Sequence, residues 1–587
     1  MQRASPELAT QRSDVRDVSV RPGRTTAELA GGRRQNLTAL GGRLRTWGGR
    51  LIDAALTRTT DAQLAALLAL GLLALAAWPL ALVDLPPLQD LPNHLAAVSV
   101  IEHPERYPEF AYNGLFKTNA ALFAWLLGVG RLVGARQAAR LFVLVVLGLG
   151  AFALPRFALS FGGRRRMVVS AFFCWPLVHN WFVSMGMLDF ALGFALAVLL
   201  LVLLNGQRVR PGAWRAFGVA LLALATWYAH VFPLLVVYLL VVVHVASRST
   251  WPLRRSEASA LLAPLAPSAA LAAWSLWLHW TEPVRAMTAG VALGRFLPPW
   301  ELVYNLWAEW FYGFTWLEIA TIVPCVAMGL WALSRCREKA ALFGPAAFSA
   351  LGALYFFSPY VATNWFHVGS RIIPFLWLAA LVRLPEALPG RVLAALGACA
   401  VSYSIGMGVD YVRLDRDAAA FTAGMSAVPD GARLLPLVFR SKKTSENTRS
   451  LLHAWAFYAI EKRTSAPLLF AHSRSFAVTY REPPIAQFNH LVLEGFAPSM
   501  ASPDWLCTTL RSGGLAVDDC ADAWRAKWAA FWRLAEPSFD HVLMWAAPAQ
   551  VIALVPRDYR LVFRRDELAI FARTGAREAS GPEQRAP

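Results

Sequence analysis

From Ala62 to His94 the chain reads AQLAALLALGLLALAAWPLALVDLPPLQDLPNH. Residues 62–83 carry no charge, and their length suits a helix across a bilayer, which takes about 20 apolar residues. The polar loop that follows, Asp84 to His94, sets an acid, Asp90, and an imidazole, His94, at the membrane surface. That placement suits an enzyme embedded in a membrane.

Composition agrees with a chain that lives largely in lipid. Of 587 residues, 57% are hydrophobic and 16% charged, with a mean hydropathy of +0.43. Soluble domains sit near half apolar and about a quarter charged, so a soluble globular protein is excluded and a polytopic membrane protein is expected. The formal charge of +18 comes from arginines in short clusters between apolar runs, where they fix topology, and nucleic acid is not needed as a partner. The arm 1–61 is basic and rich in Arg, Ser, Thr and Gly. It reads as disordered and cytoplasmic rather than as a cleaved signal peptide, whose short basic region opens directly into an apolar core.

Positive residues concentrate on the cytoplasmic side, so the span 62–83 carries the Asp90 loop to the outer face. Taken as a span, the apolar run Thr118–Gly134 would put Arg164, Arg165 and Arg166 outside. It therefore reads as a surface helix within a long outer loop, 84–136. The spans are then 62–83, 137–160, 167–183, 186–205, 213–229, 231–247, 258–280, 316–334, 341–358, 371–384 and 391–410, about eleven in all. With that count the clusters at Arg208 and Arg210, at Arg248, Arg254 and Arg255, at Arg335, Arg337 and Lys339, and at Arg383 and Arg391 all fall inside. Outside lie the turns at His179 and His230, the loops 281–315 and 359–370, and everything after Asp410.

Residues 411–587 are polar enough to form an extracytoplasmic domain below the transmembrane domain 62–410 in sequence. Alternating segments predict a small α/β fold: strands at Arg433–Phe439, Pro467–Ala471, His541–Trp545, Tyr559–Phe563 and Leu568–Ala572, with helices at Thr448–Arg463 and Ala521–Leu534. No glycine-rich phosphate loop follows any strand, so nucleotide binding has no support there. Cys507 and Cys520 share this domain with twelve residues between them. In an oxidising periplasm a disulfide is the expected pairing, contributing roughly 3 kcal/mol by closing that loop. A zinc site lacks the close second pair of ligands it needs.

Four features carry a family resemblance: Gln89-Asp90 in the first outer loop, the surface helices of that loop, the helix entry Val133-Gly134-Ala135-Arg136-Gln137-Ala138-Ala139-Arg140, and an outer domain after the last span. In these the chain resembles the GT-C class of membrane glycosyltransferases that use polyprenyl-phosphate sugars, the group of protein mannosyltransferases and lipid A aminoarabinose transferases. Asp-Leu-Pro-Asn-His at 90–94, Met185-Gly186-Met187-Leu188-Asp189-Phe190 and Ser370-Arg371-Ile372-Ile373-Pro374-Phe375 also resemble stretches of a group of bacterial membrane proteins.

The resemblance implies a GT-C-like transmembrane fold in a bacterial inner membrane that moves a sugar from polyprenyl phosphate to a glycan, lipid or protein acceptor at the outer face. Transfer needs a base for the acceptor hydroxyl, and Asp90 is the candidate. Where the family shows an acidic pair, or an acid followed closely by Glu, this chain has Gln89 before Asp90 and His94 four residues on. Three roles stay open for His94: sharing the base role, holding a divalent metal with Asp90, or positioning the acceptor. Arg371, after Asn364 and His367, is placed to bind the donor phosphate. Asp189, His179, His230, Asn364 and His367 are candidates for an acceptor site or cavity.

Each residue has a plainer reading beside this one. Asp90 before Leu91-Pro92 makes a good helix N-cap; His94, one turn on, could simply bond that carboxylate; Asp189 suits the first turn of a helix by its dipole. Arg371 could anchor its helix at headgroups, His179 and His230 could be interfacial, and Trp300, Trp307, Trp310 and Trp316 suit an interfacial belt. A non-catalytic assembly protein on the same scaffold and a lipid or solute transporter remain the competing classes.

Overall fold

The computed structural model describes residues 57–248, 255–281, 294–310, 316–335, 344–362, 365–441, 449–482, 484–488, 490–512 and 519–575. All but Thr57 and Arg58 belong to one compact unit, Thr59–Pro587. The expected arm therefore lies almost wholly outside the described residues, as does Asn364.

Helix α1 (Asp61–Ala77) opens at a capping box in which Thr60 and Gln63 satisfy each other's backbone N–H groups. A 3-10 turn, Trp78–Leu82, extends it. Helix α2 (Leu91–Glu102) follows the Asp90 loop, then strand β1 (Phe110–Tyr112) and helix α3 (Ala121–Val133), the apolar run kept out of the span count. Helix α4 (Ala135–Val178) is continuous in hydrogen bonding but breaks direction at Gly163, whose φ of +75° an L side chain rarely adopts. That break falls between 160 and 167, where the sequence separates two spans. Helices α5 (Leu188–Val209), α6 (Ala213–Ala229) and α7 (Val231–Arg248) come next, then α8 (Trp316–Arg335) and α9 (Gly390–Thr422). Helix α1 packs along α4, α4 against α5, α5 against α6 and α7, and α8 against α9.

Among the described residues five stretches, Asp61–Leu82, Ala135–Ser184, Leu188–Val209, Glu257–Thr281 and Gly390–Ala427, are long and apolar enough to cross a membrane by length and composition, and six shorter apolar helices accompany them. Helix α9 does not stop at Asp410; it continues to Thr422 and delivers the chain into a four-stranded sheet. There β2 (Leu434–Val438) lies parallel to β4 (His541–Trp545), with β6 (Leu568–Arg573) antiparallel to β4 and β5 (Tyr559–Arg565) at the edge, after β3 (Val478–Tyr480) has left for another sheet. Strand β3 pairs antiparallel with β1, Phe110 opposite Tyr480 and Tyr112 opposite Val478, so the loop 84–136 and the C-terminal part share backbone hydrogen bonds. Asn113 and Lys117 add side-chain bonds to the Arg474 and Phe476 carbonyls. One hydrophobic core runs through both parts, from Leu147 and Leu201 of the long helices to Trp455, Leu468 and Trp528.

Two expected elements differ. Residues 467–471 form turns, not a strand, and the helix expected over 448–463 shortens to α10 (Ala456–Lys462) after turns from Ser450 to Trp455. Helices α11 (His490–Ser499) and α12 (Cys520–Ala535) complete the C-terminal part. Cys507 and Cys520 are joined by a disulfide, their Cα atoms 5.7 Å apart.

Candidate active site

A cavity of about 250 Å³ opens where the Asp90 loop, the turn before α5, the start of α7, residues 365–371 and the C-terminal part meet. Its lining includes Asp90, His94, Asp189, His230, His367 and Arg371, so six of the residues singled out in the sequence share one space. His179 is not among them: it is buried, with Nε2 2.8 Å from the Tyr411 hydroxyl.

Asp90 precedes α2 but does not cap it. Its backbone is already helical (φ −93°, ψ −11°) and its carboxylate makes no capping bond, so the side chain is free to turn toward the cavity. The backbone N–H groups of Gln89 and Asp90 donate to the Ser184 and Met185 carbonyls, each at 3.0 Å. Gly186 completes this clamp with φ +81°; a Cβ there would sit 2.9 Å from the Asp90 nitrogen and 3.0 Å from the Leu91 nitrogen. The Met185-Gly186-Met187 stretch is thus the surface on which the Asp90 loop rests.

The carboxylate's partners come from both ends of the chain. Gln89 Nε2 donates to Asp90 Oδ1 at 3.2 Å, while its Oε1 accepts the Arg449 N–H at 2.9 Å, which fixes the amide's orientation. His453 Nε2 lies 3.3 Å from the same Oδ1. Asn93, fully buried, decides which nitrogen of that ring carries the proton. Its Oδ1 accepts the Phe470 N–H at 3.1 Å and its Nδ2 donates to the Leu468 carbonyl at 2.8 Å and toward His453 Nδ1 at 3.3 Å. His453 Nδ1 is therefore an acceptor, and Nε2–H is the donor aimed at Asp90. Both donors fall on Oδ1, and no hydrogen bond falls on Oδ2 among the described residues.

Among the described residues no hydrogen bond joins His94 to the Asp90 carboxylate, although that charge acts on its ring. Burial lowers its ring to about 4, and it bonds the Gly186 backbone while lying edge-on to Phe123 and Phe470. Its ring stands among the residues that line the cavity. Asp189 Oδ1 accepts the Leu122 N–H at 2.9 Å, so it caps α3 rather than the helix it starts.

On the far side of the sequence, His367 has a positive φ of +58° and places Nδ1 2.7 Å from the Tyr360 hydroxyl and 3.1 Å from Glu309 Oε1. Glu309 also accepts from Tyr360 and Ser370, so its carboxylate is fully engaged in holding the turn that carries Arg371. Among the described residues no carboxylate pairs with Arg371. Its Nη1 contacts His230 Nε2 at 3.1 Å, its guanidinium lies over the Phe190 ring at 5.6 Å, and its Nε has no partner. His230 Nδ1 faces the Phe232 N–H at 3.1 Å while its Nε2 faces Arg371 Nη1, and a neutral ring can accept only one of the two. A guanidinium at a cavity wall with no carboxylate beside it among the described residues makes a place for an anion. Among the described residues no group of three His, Cys, Asp or Glu side chains is arranged to hold a metal ion.

Sequence reading missed His453, His472, His490, Arg449 and Glu494, all on this cavity. A signal existed: the chain has 11 histidines, and six of them, His94, His230, His367, His453, His472 and His490, line one space. Their convergence needs the tertiary fold.

No family model matches the chain, and no curated protein matches it. Among solved structures it is similar to ArnT from Cupriavidus metallidurans bound to undecaprenyl phosphate, at 13% identity and TM-score 0.47 over 86% of this chain and 97% of that one. The same ArnT in the apo state gives 13% identity and TM-score 0.49 over the same shares, 86% and 97%. The arabinofuranosyltransferase AftD from Mycobacteria gives 15% identity and TM-score 0.43 over 88% of this chain and 42% of that one. At these TM-scores the likenesses carry no inference about activity.

Proposed function

We propose that this protein is a GT-C-like membrane glycosyltransferase of about eleven spans in a bacterial inner membrane, moving a sugar from a polyprenyl-phosphate donor to an acceptor at the outer face. The observation that carries the reading is the pairing, in one cavity, of a carboxylate with one oxygen unbonded and a cation with no carboxylate partner among the described residues. Asp90 Oδ2 takes the acceptor hydroxyl proton as that oxygen bonds to the anomeric carbon. The bond from the anomeric carbon to the phosphate oxygen breaks, and the electron pair leaves with polyprenyl phosphate. Arg371 meets the phosphate's growing charge with donors held in place before the reaction. Gln89 and His453 hold the carboxylate on its other oxygen, so the base is oriented rather than mobile. The acceptor, a glycan, lipid or protein, enters the same cavity.

The test is to purify the full chain in native lipid and count co-purified polyprenyl phosphate per protein by mass spectrometry. Arg371→Ala should lose it, while Asp90→Asn should keep it yet abolish transfer with folding intact. Transfer that survives Asp90→Asn removes that residue from the mechanism, and equal lipid retention in Arg371→Ala removes the anion site.

A further inference from the structure

The cavity has a third wall that the chemistry above leaves unused. His472 and His490 come from the C-terminal part and stack ring on ring, centroids 4.2 Å apart. Both are buried, yet among the described residues neither nitrogen of His472 has a hydrogen-bond partner, nor has Nδ1 of His490, nor Oε1 of the neighbouring Glu494, which lies 3.9 Å from His453 Nδ1. Buried polar atoms in folded proteins are nearly always satisfied, so four orphans lining one cavity call for a partner that enters it.

Their chemistry says what kind. Burial holds His472 down to about 3 and His490 well below the ordinary range, so both rings are neutral. A neutral imidazole offers one N–H and one lone pair. A hydroxyl also donates and accepts, so imidazoles and a carboxyl oxygen complement a group bearing several hydroxyls. A phosphate, which in its dianionic form only accepts, matches Arg371 and not this wall. Phe476 lies 5.0 Å from His472, and Phe470 5.6 Å from His490, adding apolar faces beside the polar atoms. A sugar ring presents hydroxyls at its rim and C–H groups on its faces.

We propose that His472, His490 and Glu494 form a subsite for the hydroxyl-bearing part of a ligand, a sugar ring or polyol. The assignment deepens the transferase reading, where this wall would hold the transferred sugar or a glycan acceptor; the binding itself does not require transfer.

The probes are methyl glucoside and methyl arabinoside, a hexoside and a pentoside without phosphate, with dimethoxyethane as the hydroxyl-free control. Binding to the full chain in lipid nanodiscs is read by saturation-transfer NMR. At least one glycoside should bind, and His472→Phe with His490→Phe should weaken it at least about tenfold through the lost hydrogen bonds. Because three of the four ring nitrogens have no hydrogen-bond partner among the described residues, the phenyl variant should melt no lower than wild type without ligand. Undecaprenyl phosphate retention, followed in parallel, should be unchanged in this variant and lost in Arg371→Ala. If the double variant does not fold, His472→Phe alone and Glu494→Gln carry the same test. No glycoside binding above the control, or equal binding in wild type and variant, overturns the subsite. Glycoside binding without retained undecaprenyl phosphate leaves the subsite standing and defeats the donor reading instead.

Discussion

Gly186→Ala tests whether the Met185-Gly186-Met187 turn is the seat of Asp90. The substitution adds one methyl group, and two costs follow. The residue has φ +81°, where an L side chain costs about 1–2 kcal/mol relative to glycine. The new Cβ would also lie 2.9 Å from the Asp90 nitrogen, 3.0 Å from the Leu91 nitrogen and 3.1 Å from the Asp90 Cβ. These are backbone and near-backbone atoms that no rotamer change moves aside, and overpacking of this kind costs about 1–3 kcal/mol. Together they predict a loss of about 2–5 kcal/mol. For a unit of this size that lowers Tm by about 2–5 °C. The relief available is for the Asp90 loop to back away, which stretches the bonds from Gln89 and Asp90 to the Ser184 and Met185 carbonyls. A misplacement approaching 1 Å at a reacting group costs about 100-fold, so transfer by folded protein should fall about 10- to 100-fold. Gly148→Ala is the matched control, since nothing lies within 4 Å of the Cβ it adds; in a helix interior it should be neutral or stabilising by up to about 1 kcal/mol. The assay is thermal unfolding of both variants in nanodiscs, with transfer measured well below Tm. Equal melting of Gly186→Ala and Gly148→Ala would refute the clamp.

Asn93→Leu keeps the size but strands the Phe470 N–H, the Leu468 carbonyl and His453 Nδ1, which should cost about 3–5 kcal/mol in denaturant unfolding; a loss below about 1 kcal/mol contradicts the network. His94 and His472 titrate in the fold near 4 and 3, below the 6.5 expected unfolded, so the unfolded chain binds more protons below that value. Their contribution to stability is complete above it and drains as pH falls toward 4; Tm should therefore drop on acidification and His472→Phe should flatten the curve, whereas identical curves would speak against burial as the cause. Reducing the Cys507–Cys520 bridge frees a short loop, and unfolding of the C-terminal part should ease by about 3 kcal/mol, read by hydrogen exchange with and without reductant. Unchanged exchange around α12 would deny the bridge that role.

The apolar runs made the long helices legible, because a stretch with no charge and about 20 residues has few other folded fates. Strands β2, β4 and β6 were also readable as short branched or aromatic runs between turn residues. The failure at Pro467–Ala471 has a clear cause. The run is as apolar as a core strand, but the Leu468 carbonyl and Phe470 N–H bond to the Asn93 side chain and just its last carbonyl, that of Ala471, meets a strand, at the Tyr480 N–H; periodicity cannot see the asparagine partner. Asp90 as an N-cap failed for a similar reason: its backbone had already turned helical, which releases the carboxylate.

What the sequence determined by itself is local: where charge ends and apolar length begins, which loop holds an acid, which cysteines share a segment. The tertiary structure decided the site. His453 reaches Asp90 across 363 positions of chain, and Arg371 reaches His230 across 141. Side-chain orientation there is fixed by packing and by the need to satisfy buried hydrogen-bonding groups, and neither leaves a periodic trace in the sequence. That is why Asp90 could be named from its loop alone, while the histidine that aims it, and the absence of a carboxylate beside Arg371 among the described residues, appear only when the helices and the C-terminal part close on one cavity.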